Sequence, residues 1–169
     1  MPIILVRIDD RLVHGQIVQG WLKSIDVNKI VVASDAVADD NMQQILMSMA
    51  VPSNVELEIK NVKDTTEAIN CGKYDSAKVM VLVASPKDVL YMIENGADIK
   101  TVNVGGMHFI HGKRQILCNL SVDDNDVKDL YAIYTKGIEI EGRVLPSDER
   151  TNIIPLIEKE YKNIRKLNE

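Results

Sequence analysis

The chain has 169 residues, of which 46% are hydrophobic and 27% charged, and its formal net charge is −5; this fits one globular domain, residues 1–169, with enough chain to bury a real core. Its aromatic stock is one Phe, one Trp and five Tyr, which leaves little for base-stacking platforms, and its acidic balance disfavours a phosphate backbone, so no nucleic acid is expected as a partner. No apolar run reaches the ~20 residues of a bilayer span and the N-terminus lacks a basic-then-apolar leader, so the expectation is a cytoplasmic chain without direct membrane insertion.

Apolar runs alternate with amphipathic segments along the chain, the pattern of βα units around a mostly parallel sheet. The expected fold is therefore α/β: a single domain with an open, twisted, mostly parallel sheet of about seven strands and helices on both faces. Ile3–Ile8 opens the chain as a short continuous apolar run suited to burial on both sides. A helix from about Gly15 to Lys23 follows, with Ile17, Val18, Trp21 and Leu22 at helical spacing. Strands are then expected at Lys29–Ser34, Val55–Lys60 and Lys78–Val83. Cys71, in the helical segment before the third of these, and Cys118 form no C-x-x-C; both are read as reduced packing residues.

Ser85-Pro86-Lys87-Asp88 reads as a helix start, with Ser85 as the cap and Pro86 at the first helical position, and Gly96 closes that helix. Strands are expected next at Thr101–Val104 and Gln115–Cys118. Asp123 or Asp124 caps a helix through Tyr134, Gly137 stops it, and Ile138–Arg143 forms a further strand. The last segment, Ile153 to Leu167, puts Ile153, Ile157, Tyr161 and Ile164 on one stripe and a mixed-charge, solvated face opposite.

The chemistry-bearing stretch is Asp9-Asp10-Arg11-Leu12-Val13-His14-Gly15-Gln16, where the first strand runs into a turn. Carboxyl ends of strands in open α/β sheets are where ligands bind. Imidazole has an ordinary pKa of about 6.5 and keeps a free lone pair on a large fraction of molecules near neutrality, so a histidine can serve as a nucleophile. Arg11, three residues before His14, can neutralise phosphoryl oxygens with its guanidinium fork. Gly15 lets a bulky group approach the backbone, and the helix that starts there offers free N–H groups to an anion. Asp10, or Asp9, can accept from the other ring N–H and fix the imidazole's orientation. These residues alone leave a phosphoryl carrier and a solvated, purely structural turn equally open.

The same octapeptide resembles the active-site signature of the IIB components of the mannose/fructose/sorbose family of the bacterial phosphoenolpyruvate-dependent sugar phosphotransferase system. The resemblance runs on through Ser85-Pro86-Lys87-Asp88-Val89, Asn103-Val104-Gly105-Gly106-Met107, Gly112-Lys113 and Gly137-Ile138-Glu139, and so covers nearly the whole chain. It implies a phosphohistidine–sugar phosphotransferase that uses no cofactor and no metal. His14 would accept a phosphoryl group, on Nδ1 in that family, from a phosphohistidine of a cytoplasmic IIA protein. It would then donate to a sugar held by the IIC/IID membrane permease, through which the chain associates peripherally with the inner face of the membrane. Arg11 would stabilise charge and Asp10 would orient the imidazole or the loop, while Asp9, Gly15, Gln16, Ser85, Gly105 and Gly106 would bind the phosphoryl group or shape the loop. With Met1 only six residues before Arg7, no fused IIA domain is expected on that side, and the donor is expected as a separate chain; homo-oligomers are also compatible.

One stretch departs from the family pattern: Met107 is followed by His108-Phe109-Ile110-His111. Gly105 and Gly106 are read as presenting backbone N–H groups or admitting a partner, with a plain tight turn fitting equally well. The glycines match no nucleotide-binding motif. Two other functions are weighed. One is a metal-dependent hydrolase using His108 and His111 with the Asp9-Asp10-His14 loop; the other is a noncatalytic regulatory module on the same frame.

Overall fold

Seven strands share one sheet in the computed structural model, which describes residues 2–169. In chain order the strands are β1 Ile3–Asp9, β2 Lys29–Ala33, β3 Glu56–Lys60, β4 Val79–Val83, β5 Thr101–Gly106, β6 Arg114–Leu117, β7 Leu120–Val122, β8 Glu139–Gly142 and β9 Thr151–Asn152. The main sheet runs β3-β2-β4-β1-β5-β8-β9, parallel throughout except for the terminal β8–β9 pair. Its buried strands are nearly pure aliphatic runs, Val79–Val83 being buried at every position, as expected where helices cover both faces.

The helices are α1, which begins as a wide π-helical segment Gln16–Trp21 and tightens into an α-helical turn Leu22–Ser24, α2 Asp35–Ala38, α3 Asn41–Ala50, α4 Val62–Asn70, α5 Pro86–Glu94, α6 Asp124–Thr135 and α7 Ile154–Leu167. The sheet divides the core in two. Val6, Ile8, Val81 and Val104 face α4 to α7, whereas Ile30, Val32, Met80 and Leu82 face Ile17 and Trp21 of α1 and Met47 of α3. Strand alternation therefore turns Arg7 and Asp9 towards the α1 side.

Two expectations are corrected. The segment expected as a strand at Gln115–Cys118 is not part of the main sheet: β6 and β7 form a separate antiparallel hairpin, and the seventh place in the sheet belongs to the two-residue β9. Cys71 and Cys118 are free thiols on the surface, so neither packs in the core. Ser85 stands at the N-cap of α5 with Pro86 at its first position, as expected, although its side chain accepts no backbone N–H and its hydroxyl donates to Asp88 Oδ2 at 3.1 Å. The other helix ends follow their residues: Asp123 and Asp126 form a reciprocal capping box, and Gly96 and Gly137 lie at φ +97° and +82°, where a Cβ would be strained.

Sheet order places the end of β1 at the turning point of the topology. Strands β2, β3 and β4 lie on one side of β1, and β5, β8 and β9 on the other. The crevice outside such a point is the usual ligand position in an open α/β sheet.

Candidate active site

A row of polar residues crosses three neighbouring strands beneath this crevice. Arg7 of β1 pairs in register with Asn103 of β5, and Asn103 with Glu141 of β8. All three are buried. Arg7 donates from Nη1 to Asn103 Oδ1 (2.6 Å) and to the Arg143 carbonyl (2.9 Å), and from Nη2 to Asp9 Oδ2 (3.1 Å) and to the Val144 carbonyl (3.0 Å). Asn103 Nδ2 donates in turn to Glu141 Oε1 at 3.0 Å, and Glu141 is forked by Arg143. The Arg7 and Arg143 guanidiniums lie 5.0 and 5.2 Å from the Trp21 ring, a cation–π arrangement that helps to satisfy weakly hydrated cations out of water. Burial draws the Arg7 guanidinium below its ordinary value against the opposing pull of Asp9 and Glu141. Starting so high, it stays charged.

The glycine after this row has a role other than the one expected. Gly105 remains within β5 and makes no turn, and the register between β1 and β5 slips by one residue between Ile8 and Asp9. A Cβ at Gly105 would lie 1.8 Å from Arg7 Cζ, so the missing side chain is the space the guanidinium occupies. A bulge beside a site commonly re-aims a side chain; here it accompanies the turn of Asp9 towards the loop.

Asp9 is fully buried and is the hub of the site. Its Oδ2 accepts from Arg7 and lies 2.9 Å from His14 Nε2, while Oδ1 accepts the Arg11 backbone N–H at 3.2 Å. Burial alone would raise its pKa. The hydrogen bond and charge of His14, the Arg7 cation and the Arg11 N–H outweigh burial and hold the carboxyl below the usual carboxylate range. A carboxylate on Nε2 selects the tautomer with the proton there, leaving a lone pair on Nδ1. The Nδ1 edge faces the start of α1, where the Gln16 N–H donates to it at 3.2 Å. The His14 side chain is 14% exposed, compared with 0% for Asp9, so one edge of the ring is anchored in the core and the ring is still reachable from outside.

Local backbone geometry sets the ring there. The Leu12 N–H bonds back to the Asp9 carbonyl at 2.9 Å, closing a tight turn, and Leu12 sits at φ +56° with its side chain buried. A leucine is strained in that region, by roughly 1 kcal/mol or more, and is held there by its packing with Val13, Ile17 and Trp21. The His14 carbonyl accepts from both the Ile17 and Val18 N–H groups, which ties the turn to the opening of α1. A Cβ at Gly15 would meet nothing within 4 Å, so that face is open. Arg11 lies over the same opening: Nη2 donates to Gln16 Oε1 at 2.8 Å, Nε is 3.8 Å from Asp9 Oδ1, and the side chain is 43% exposed.

Asp10 points elsewhere. Its carboxylate accepts the His108 backbone N–H at 2.7 Å and lies 2.5 Å from His108 Nδ1, so it holds the 107–112 loop, and the carboxylate on the His14 imidazole is Asp9. Gly106 sits between the two aspartate systems: a Cβ there would lie 3.2 Å from Asp9 Oδ1 and 3.4 Å from His108 Cε1. Ser85 is bonded within its own helix start and makes no hydrogen bond to the His14 loop among the described residues. His111 is exposed in the turn before Gly112. The donors of the hydrolase alternative are thus split between two carboxylates, and among the described residues no three His, Cys, Asp or Glu side chains are grouped to hold a metal ion.

Arg7, Asn103, Glu141, Arg143 and Trp21 are the participants that reading by motif passes over. Each of the first three was legible as a polar residue near the carboxyl end of an apolar run, a placement that calls for a buried partner.

The family described as PTS system sorbose subfamily IIB component matches residues 3–168. The chain is 39% identical over 157 residues to the PTS system fructose-specific EIIB component of Bacillus subtilis, covering 93% of this chain and 96% of that protein. It is 38% identical to the mannose-specific EIIAB component of Escherichia coli, covering 94% of this chain but 49% of that longer protein. Among solved structures, the IIBSor domain of the sorbose permease from Klebsiella pneumoniae superposes with a TM-score of 0.89 at 31% identity, covering 94% of this chain and 98% of that one.

Proposed function

The chain belongs to the sorbose subfamily of IIB components of the sugar phosphotransferase system (PTS), whose members are phosphotransferases, and from that premise we propose that His14 is its phosphoryl carrier. The observation that carries this reading is the Asp9 carboxylate on His14 Nε2, which leaves Nδ1 as the nucleophilic nitrogen at the opening of α1.

In the first transfer the Nδ1 lone pair attacks the phosphorus of a IIA phosphohistidine. The new N–P bond forms as the donor's N–P bond breaks, and that electron pair returns to the donor ring. The Gln16 N–H, freed from Nδ1, turns to a phosphoryl oxygen, and Arg11 swings from Gln16 Oε1 to neutralise charge on the equatorial oxygens. Throughout, Asp9 keeps the Nε2 proton in place and balances the positive charge on the phosphorylated ring. In the second transfer a sugar hydroxyl attacks the phosphorus and gives up its proton to solvent, the Nδ1–P bond breaks, and the ring recovers its lone pair. Protonated Nε2 makes imidazole a good leaving group.

The IIC/IID membrane components hold the sugar in this reading and set its identity, while this chain works at the cytoplasmic face. No helix of the described residues is long and apolar enough to cross a membrane. Incubation with phosphoenolpyruvate, the general phosphotransfer proteins and a cognate IIA protein, followed by intact-mass analysis, tests the proposal. The expected result is one acid-labile phosphate, on His14. No labelling, or equal labelling of His14→Ala, would overturn it.

A further inference from the structure

Helix α3 is amphipathic in the reverse sense. Met47 alone is buried within it, in the core facing α1, and Gln44 turns inward to donate to the Val37 and Ala38 carbonyls that end α2. On the opposite side Met42, Ile45, Leu46 and Met49 are 66%, 55%, 58% and 79% exposed. At 3.6 residues per turn these four make a single stripe about 100° wide, centred directly away from the core. A contiguous stripe of large apolar side chains is a mark of an interaction surface, whereas scattered ones are not.

The order of residues says what fits it. Read in either direction the stripe is large apolar, two intervening positions, two branched aliphatics, two intervening positions, large apolar. A two-fold axis through its middle brings Met42 against Met49 of a second copy and Ile45 against Leu46 of that copy, twice over. The flanking positions pair Asn41 with Ala50 and Gln43 with Ser48, and Asn41–Ala50 contains no ionisable residue. No like charges therefore meet across the axis, which is the main obstacle to a self-complementary contact. Antiparallel pairing also sets the positive end of each helix dipole beside the negative end of the other. We propose that the exposed face of α3 is an isologous dimer interface, with two copies of this chain packed antiparallel through Met42, Ile45, Leu46 and Met49.

The stripe contributes on the order of 400 Å² per copy, about half of what each partner gives a standard stable interface. The dimer is accordingly weak and concentration-dependent. It leaves the His14 loop free, because Leu12, Val13, Ile17 and Trp21 share a buried cluster with Met47, on the side of α3 away from the stripe.

Sedimentation equilibrium from about 10 µM to about 1 mM tests this. The expected result is a reversible monomer–dimer equilibrium that Leu46→Glu weakens ~100-fold or more, since the change enters twice at the axis, with His14 labelling unchanged. A second measurement fixes the geometry. With Cys71 and Cys118 changed to serine, an oxidised mixture of Met42→Cys and Met49→Cys chains should form a disulfide-linked dimer well above either variant alone, because like positions stand about 10 Å apart along the axis. A monomer across the whole range, a dimer indifferent to Leu46→Glu, or single variants that cross-link as readily as the mixture would each overturn the proposal. So would a chain that stays monomeric but loses binding to permease-containing vesicles through Leu46→Glu, which would give the face to the membrane component instead.

Discussion

Two adjacent aspartates each hold a histidine, and they do so in opposite ways. Asp9, the last residue of β1, turns into the core, where Arg7 fixes it from below and His14 Nε2 meets it from above. Asp10, one residue later, turns outward and holds the backbone and Nδ1 of His108, with half of the His108 side chain in solvent. The same pair of side chains is thus built once as a rigid assembly and once as a surface clasp. The buried couple leaves Nδ1 aimed at a helix opening with an arginine beside it; in the clasp it is Nδ1 that the carboxylate occupies. What separates a candidate carrier from a structural histidine here is the third group, Arg7, which locks the carboxylate before the imidazole arrives.

The sharpest way to break this comparison is to remove each ring. His14→Ala should abolish acid-labile phosphate on the chain, and His108→Ala should retain it, read by intact mass after complete donor incubation. Next in size is the stability of the two carboxylates. Asp9→Asn leaves the Arg7 cation buried without its partner and should cost roughly 3–5 kcal/mol in chemical denaturation, whereas Asp10→Asn should stay within about 1 kcal/mol, as for other exposed pairs. Equal losses would make the two couples energetically alike.

Arg11→Gln should slow phosphoryl transfer by ~10-fold or more with a nearly unchanged melting temperature, because the side chain is 43% exposed and its ion pair with Asp9 is long; wild-type rates in stopped-flow transfer would remove it from the mechanism. The smallest effect is in pH. The Asp9 pKa is lowered in the fold by His14, Arg7 and the Arg11 N–H against burial. Its contribution is therefore fully present above the ordinary carboxylate value of about 4, and is lost as pH falls below that value through the lower folded one. Denaturation midpoints should fall more steeply with acid for the wild type than for Asp9→Asn.

Much of the frame was legible because burial on both faces demands uninterrupted aliphatic runs: β2 and β4 can be read directly from Lys29–Ala33 and Val79–Val83. The β6–β7 hairpin was not, since Arg114–Leu117 has the local character of any short strand and only its tertiary pairing with Leu120–Val122 keeps it out of the sheet. Two-residue β9 has too little sequence to carry a period. In the site, His14, Arg11 and the two aspartates stood out by type and spacing, but the assignment of Asp9 over Asp10 depended on β1 running through Asp9, so that strand alternation turns Asp9 inward on the same side as Arg7 while Asp10 falls outside the strand. Gly105 shows the same limit. Its sequence neighbourhood suggests a turn or an anion cradle, yet its absent side chain serves a guanidinium that belongs to another strand.

Leu12 carries a consequence for engineering. A leucine held at φ +56° in a turn closed by the Asp9 carbonyl does not choose that shape by itself, and the aspartate behind it is steadied by a cation that leans on residues 103, 143 and 144. The eight-residue segment is consequently no portable cassette: transplanted onto a foreign scaffold without those distant supports, it would relax, and the ring it was meant to display would swing free.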